Sequence, residues 1–477
     1  MRGALILFVA AATAAGQPLA DSLRQGADLK ARGDAAGALA AYQSAARLAP
    51  SSAQIRDEIG FLLAVLGRNA ESRDEFREAV RLNPNYAPAH FHLGIALRLG
   101  GDLEPAISEL AAAVRLKPAE GEYQARLAQM LYEAGRPGEA IPHFRAATSA
   151  KPGDAALWNG LGLSWQATGD GVEAKAAYEK AVRLAPANVD YRNNLGFAFV
   201  QSGHAEEGMA EFRKILDADP GNLTALMNTG LALTQKAQLQ QAAACFRKII
   251  ELSPGLAAAH YNLGLVLKQE DDLEAAMVEL REALRLEPGL VDAHYTLGVA
   301  LWQSGDFAAS ERELRAVVEA WPDHASAWFM LGTVSKQKGD GPGALAALRK
   351  SIQLDATAPG PYNTLAQLLQ SMGDEAGSRE AFRGGAEAKR RLEADQAALL
   401  STNSGMEKLA AGDLAQAEEK FRSAIASSPD TARAHRGLAE VLRQRGQAEA
   451  ANREERLARE LEAKFLAASR TTPARRP

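Results

Sequence analysis

The chain holds one cysteine, Cys245, among 477 residues. A lone thiol can form neither an internal disulfide nor a cysteine-based metal site, and its place beside Phe246 reads as packing. Neither sign of charge is in excess: 54 Lys and Arg stand against 59 Asp and Glu, a formal net charge of -5. No basic stripe or basic motif is present, so no nucleic acid is expected as a partner. Long apolar runs are missing as well. The run from Ala4 to Ala15 falls well short of the roughly 20 residues that cross a bilayer, and stable membrane insertion is not expected. Catalytic signatures are absent too: there is no His-Glu-x-x-His, no Cys-x-x-Cys, no phosphate loop and no nucleophile elbow. His90 and His92 share a helix but sit two residues apart, so they face different directions and do not form a metal pair. No catalytic residue, metal or cofactor is therefore expected, and the enzyme classes are set aside.

What the N-terminus does contain is Arg2, the short apolar run and small residues around Ala12-Thr13-Ala14. That order fits a secretory signal peptide over residues 1–16, with cleavage between Ala14 and Gln17. No cysteine sits at the cleavage site, so a lipid anchor is not indicated. The expected location is outside the cytoplasm, periplasmic or secreted.

The strongest signal is a row of prolines: Pro50, Pro84, Pro118, Pro152, Pro186, Pro220, Pro254, Pro288 and Pro322. Each follows the last by 34 residues. A fixed period of this size means a stack of identical supersecondary units, and each proline marks where a unit's last helix stops. With the first residue of each unit numbered 1 (residues 53, 87, 121 and so on), glycine recurs at position 8 (Gly60, Gly94, Gly162, Gly196, Gly264, Gly298). A second glycine recurs at position 15, often followed by aspartate (Gly101-Asp102, Gly169-Asp170, Gly305-Asp306). Alanine is favoured at positions 20 and 27, and an aromatic or leucine at position 24 (Phe76, Leu110, Tyr178, Phe212, Phe246, Leu280). Positions 4, 7, 8 and 11 fall on one helical face, as in Arg192, Leu195, Gly196 and Phe199, or His260, Leu263, Gly264 and Leu267. The small residues let two helices approach closely. The position-15 glycine suits a helix end, and the aspartates Asp34, Asp102, Asp170, Asp272, Asp306, Asp340 and Asp374 are expected to cap the second helix. Four histidines (His90, His260, His294 and His435) occupy position 4, where a large packing residue is expected.

This pattern resembles the tetratricopeptide repeat, and stretches such as His260-Tyr261-Asn262-Leu263-Gly264 are similar to the family's first helix. The resemblance implies an all-α fold: a right-handed superhelical solenoid of helix-turn-helix repeats. It covers an array over 19–392 of about 11 repeats, a period break at 393–397, and two further repeats at 398–468 that form a C-terminal cap. Residues 469–477 read as a disordered tail. No stretch outside the repeats is long enough for a catalytic domain, and the resemblance implies a protein that holds partners.

Positions 2, 6, 9 and 13 point away from the packed face, and the resemblance implies that this face lines a concave groove. Two amide rows lie there: Asn194, Asn228 and Asn262 at position 6, and Gln201, Gln235, Gln269, Gln303 and Gln337 at position 13. Amides offer donors and acceptors, so such rows can pair with the backbone of an extended peptide. The asparagine row resembles the ladder of O-linked N-acetylglucosamine transferases, which grips peptide backbone. Tyr261, Tyr295 and Phe329 sit at position 5, with Trp302 at position 12, as aromatic anchors beside the amides. The alternative at position 5 is sideways packing under the neighbouring helix. Position 5 carries no lysine in the regular repeats, so a carboxylate clamp is not indicated. The expected function is a non-catalytic protein–protein interaction scaffold of the bacterial envelope, binding a partner protein or extended peptide within about 189–358. A polysaccharide-binding scaffold in polymer export, and a regulatory subunit of a separately encoded enzyme, are the alternatives.

Overall fold

The computed structural model describes residues 17–470, with side chains as far as Lys464. The expected signal peptide and residues 471–477 lie outside this range. The described residues form 25 helices, α1 (Gln17–Ala31) to α25 (Ala448–Arg470), and no strand. The fold is all-α, a solenoid of stacked antiparallel helix pairs. The unit is clear in α5 (Ala87–Leu99) and α6 (Leu103–Leu116): a 13-residue first helix, a three-residue turn, a 14-residue second helix and a four-residue link. The chain divides into two compact units, one ending at Gln238 and the other beginning at Leu239.

The proline-containing links are β-turns with the periodic proline at the second residue; in the link after the tenth repeat Ala356 takes its place. The amide of Glu120 donates to Lys117 around Pro118, that of Asn188 to Ala185 around Pro186, and that of His324 to Trp321 around Pro322. Proline's fixed φ presets that turn position and its ring cannot continue the helix. The period is thus built from the backbone outward.

The two helices of a pair meet at position 8. A Cβ added to Gly196 would lie 2.5 Å from the Phe212 ring, and one added to Gly162 would lie 2.6 Å from Tyr178. Phe212, Tyr178 and their position-24 equivalents Leu110, Leu280 and Leu314 are fully buried. The core of each unit is a ladder of such contacts. Ala106, Ala113, Ala276 and Ala283, the small residues at positions 20 and 27, complete it with no exposure at all.

The turn between paired helices needs a left-handed residue at position 15. Gly101, Gly169, Gly305 and Gly339 supply it with φ between 81° and 86°. Two repeats lack the glycine, yet the backbone keeps its path: Ala237 has φ 56° and Asp271 φ 64°. The caps at position 16 are less uniform than the sequence suggests. Asp34, Asp272, Asp306, Asp340 and Asp374 accept the backbone amide three residues on, whereas Asp102 and Asp170 make no such bond. Their carboxylates are taken by other donors: Arg73 at 3.5 Å from Asp102, and Thr168 Oγ1 at 2.8 Å from Asp170.

After α21 (Pro359–Ser371) the regular alternation is lost. α22 (Glu375–Ala410) is one continuous helix of 36 residues that passes through 393–397, where the period breaks. It serves as second helix to α21 and first helix to α23 (Leu414–Ser427), and α24 (Ala432–Gln444) and α25 close the stack.

A left-handed conformation costs an L-residue roughly 1–2 kcal/mol, against about 0.4–1 kcal/mol for the extra unfolded-state freedom of glycine. Ala237→Gly is therefore expected to stabilise the local turn by about 0.5–1 kcal/mol, and Gly305→Ala to destabilise its own by about 1 kcal/mol. Native-state hydrogen exchange of the flanking amides measures both. Slower exchange in Gly305→Ala, or faster exchange in Ala237→Gly, would contradict the assignment.

Candidate functional site: the first-helix face

Position 4, which the sequence assigns to packing, is a polar latch. In four repeats a histidine spans two partners. His260 Nδ1 lies 2.7 Å from Glu279 Oε2, and its Nε2 lies 3.1 Å from the carbonyl oxygen of Pro254. His90 joins Glu109 and Pro84 in the same way, His294 joins Glu313 and Pro288, and His435 joins Glu454 and Pro429. Arg192 reproduces the geometry with Glu211 and Pro186. Where position 4 is tryptophan, its Nε1 keeps the proline bond (Trp158 to Pro152, Trp328 to Pro322) and the position of the glutamate becomes Ala177 or Ala347. These side chains are scaffold. His92, two residues from His90, instead meets Asp57 Oδ1 at 2.8 Å. Among the described residues no three His, Cys, Asp or Glu side chains are grouped to hold a metal ion. Cys245 is half-buried, and burial pushes its thiol pKa up.

With positions 4, 7, 8 and 11 used internally, the opposite side of each first helix is left. Within each unit successive first helices lie against one another: α3 (Ala53–Val65) on α5, α11 (Val189–Gln201) on α13 (Leu223–Gln235), and α17 (Val291–Gln303) on α19 (Ala325–Gln337). Successive second helices make no comparable contact among the described residues. The first helices therefore share one continuous inner surface in each unit.

The position-13 glutamines lie on it and are exposed: Gln201 and Gln235 in the first unit, Gln269, Gln303 and Gln337 in the second. The position-6 asparagines are half-buried. Asn194 Nδ2 donates to Asn159 Oδ1 at 2.9 Å and Asn228 Nδ2 to Asn193 Oδ1 at 3.4 Å, each reaching back to position 5 of the preceding repeat. Asn262 Nδ2 donates to the carbonyl oxygen of Ala258 at 2.8 Å. One amide hydrogen of each asparagine is thus spent within the scaffold. His92 to Asp57, and Thr296 to Tyr261, follow the same step from position 6 to position 5.

The aromatics are half-buried. Tyr295 and Trp302 pack on the core around Leu314 and Val317, and Phe329 on that around Leu348 and Leu365. Tyr261 packs beside Leu297 and Leu301, and Tyr295 faces the His324 ring at 5.0 Å. Burial pushes the phenol pKa of Tyr261 and of Tyr295 above its ordinary value. These rings pack sideways against the scaffold.

Sequence reasoning did not single out position 9. It is apolar at Phe61, Ile95, Leu163, Phe197 and Leu231 in the first unit and at Leu265 and Val299 in the second, and polar at Gln129, Thr333 and Gln367. Leu231 is 41% exposed and Phe61, at the same position, 37%. The signal in the sequence is the apolar residue at this place in several repeats of the 34-residue register. From residue 155 to 371 the inner positions 2, 5, 6, 9, 12 and 13 carry four charged side chains, Asp190, Lys268, Asp292 and Lys336, in a chain that is 24% charged. Lys336 is engaged with Gln367 at 2.8 Å. The preceding first helices differ, with Arg98 paired to Glu133 at 2.9 Å and Glu122 to Lys151 at 2.8 Å.

Paired helices and an inner surface of first helices define a repeat scaffold. The family model described as tetratricopeptide repeat matches residues 23–121, 125–257, 295–359 and 402–473 in overlapping segments, and a second repeat model matches 266–305. The chain belongs to the tetratricopeptide repeat family. No curated protein matches it. Among solved structures it is similar to MamA of Desulfovibrio magneticus, at 24% identity and TM-score 0.34 over 36% of this chain and 96% of that one. It is similar also to PilF of Pseudomonas aeruginosa, at 20% identity and TM-score 0.41 over 46% and 97%. YrrB, described as having an unusual peptide-binding site, matches at 22% identity and TM-score 0.32 over 39% and 95%.

The latch makes a pairwise prediction. His260→Trp alone drives a large ring against Glu279 and is expected to cost about 1–3 kcal/mol. His260→Trp with Glu279→Ala copies the Trp328 and Ala347 pair and should recover most of that loss. Thermal denaturation of the two variants measures the coupling, and a double variant no more stable than the single one would refute the latch.

Proposed function

We propose that this chain is a non-catalytic scaffold that holds a protein partner, as an extended segment or a partner surface, on its first-helix face, and that it works in the bacterial envelope after export. The observation that carries this reading is the composition of that face in each unit: apolar side chains at position 9 (Leu163, Phe197 and Leu231 in the first, Leu265 and Val299 in the second), glutamines at position 13 beside most of them, asparagine at position 6 in three repeats, and few charges. Amides bond backbone without selecting side chains, and an apolar row supplies the buried area that gives affinity. A partner bound this way is recognised by its backbone and apolar side chains, and ionic steering contributes little. Among the described residues no helix is long and apolar enough to cross a membrane. The export component rests on residues 1–16, and a mature chain beginning between Ala14 and Gln17 in the periplasmic fraction is its check.

The test is affinity capture from envelope extract with the mature chain, compared with two variants: Asn194→Ala with Asn228→Ala and Asn262→Ala, and Leu231→Asp with Leu265→Asp. Captured proteins are identified by mass spectrometry. The same protein should be retained by the mature chain, reduced by the first variant and lost by the second, at least about tenfold weaker. Raising salt from the dilute to the molar range should change its affinity by less than about threefold, since few charges are screened. Retention by both variants, or capture that survives protease treatment of the extract, would overturn the reading.

A further inference from the structure

The long helix α22 leaves a face without cover. Its first part packs on α21: Ser378, Ala381, Gly385 and Ala388 are buried, with Ser378 Oγ donating to the Ala366 carbonyl at 2.9 Å. Its last part packs on α23 and α24 through a different face, with Ala398, Thr402 and Gly405 buried. Elsewhere a second helix stops at a link, and the next first helix folds back over it. Here the helix runs straight on for about 54 Å at 1.5 Å per residue, and α21 ends long before it does. Leu392, Leu399 and Met406 continue the face that α21 covers, within about 40° of its direction at 100° per residue. They are 40%, 54% and 37% exposed, and the adjoining Leu400 is 71% exposed. Their spacing of seven residues is that of a helix-pairing seam.

We propose that α22 is a self-association helix, on which a second copy of this chain docks antiparallel with Leu399 at the centre. The sequence of the seam is complementary to itself in that direction. Leu392 and Met406 lie seven residues either side of Leu399, so each meets the other on the second copy. In a two-fold antiparallel pair, one edge of the seam faces the same edge of its mate. That edge carries Lys389, Gln396, Asn403 and Glu407. Lys389 comes to Glu407 of the second copy, and Gln396 to Asn403, within about half a helical turn of register. In a parallel pair each edge faces the opposite edge of its mate, and the match of Lys389 with Glu407 is lost. The charges thus select the antiparallel arrangement, as flanking charges do in helix pairs.

The test uses the full chain in sedimentation equilibrium, with Leu399→Asp as the disrupting variant; Leu399 is exposed, so circular dichroism should be unchanged. The full chain should be a dimer at micromolar concentration, and Leu399→Asp should dissociate at least about 100-fold more readily, because an unpaired carboxylate would be buried in the seam. Orientation is read from disulfide formation under mild oxidation in a Cys245→Ser background. Leu399→Cys should cross-link to itself. Leu392→Cys should cross-link to Met406→Cys in a mixture and fail to cross-link alone. A monomer at every soluble concentration, a dimer undisturbed by Leu399→Asp, or self-cross-linking of Leu392→Cys would each overturn the proposal.

Discussion

The structure depends on one close approach, that of the two helices of each repeat at position 8. Gly196 allows Phe212 to lie where a methyl group would collide with its ring, and Gly162 does the same for Tyr178. This contact fixes which side of the first helix is core, and every other assignment follows. It repeats because a solenoid's stability is a sum of local terms, each unit touching only its neighbours. The proline link is its companion. The turn sets the distance to the next repeat, and its carbonyl accepts a bond from the next repeat's position 4, as Pro254 does from His260.

Once positions 4, 7, 8 and 11 are committed, the other side of the first helix varies more freely, although positions 5 and 6 still tie adjacent repeats together. The residues there change along the chain. The early repeats carry ion pairs such as Arg98 with Glu133. Later first helices carry amides and apolar side chains. One hydrogen of Asn194 ties adjacent repeats together, and its side chain is half-buried. The aromatics at position 5 are half sunk into the core, so they stiffen the face as well as colour it.

The all-α repeat fold was legible because its signals are local and periodic. Proline, glycine and alanine recur at one spacing, and each has a backbone or steric reason to be there. The latch was not legible, because its parts lie six residues back and nineteen residues on from position 4, and no pairing rule links them until they touch. The exchange of His260 and Glu279 for Trp328 and Ala347 was the trace it left in the register. The caps of Asp102 and Asp170 failed because Arg73 and Thr168 compete for them, and such competition has no sequence pattern. The amide rows were visible as rows, but not that Asn194 and Asn228 each spend a hydrogen on the preceding repeat. The continuity of α22 had a signal, the lack of glycine and proline between Ala386 and Ser404, which loss of the period obscured.

The central claim is that partners meet the charge-poor face of the first helices. Site-specific photo-cross-linking in the living cell tests it most directly. A photoreactive side chain would replace Leu231, Leu265 or Val299 on that face, or Arg247, Arg281 or Arg349 on the exposed side of the second helices. The account predicts a discrete protein adduct from each of the first three positions and none from the others. Adducts from the second-helix positions alone would contradict it.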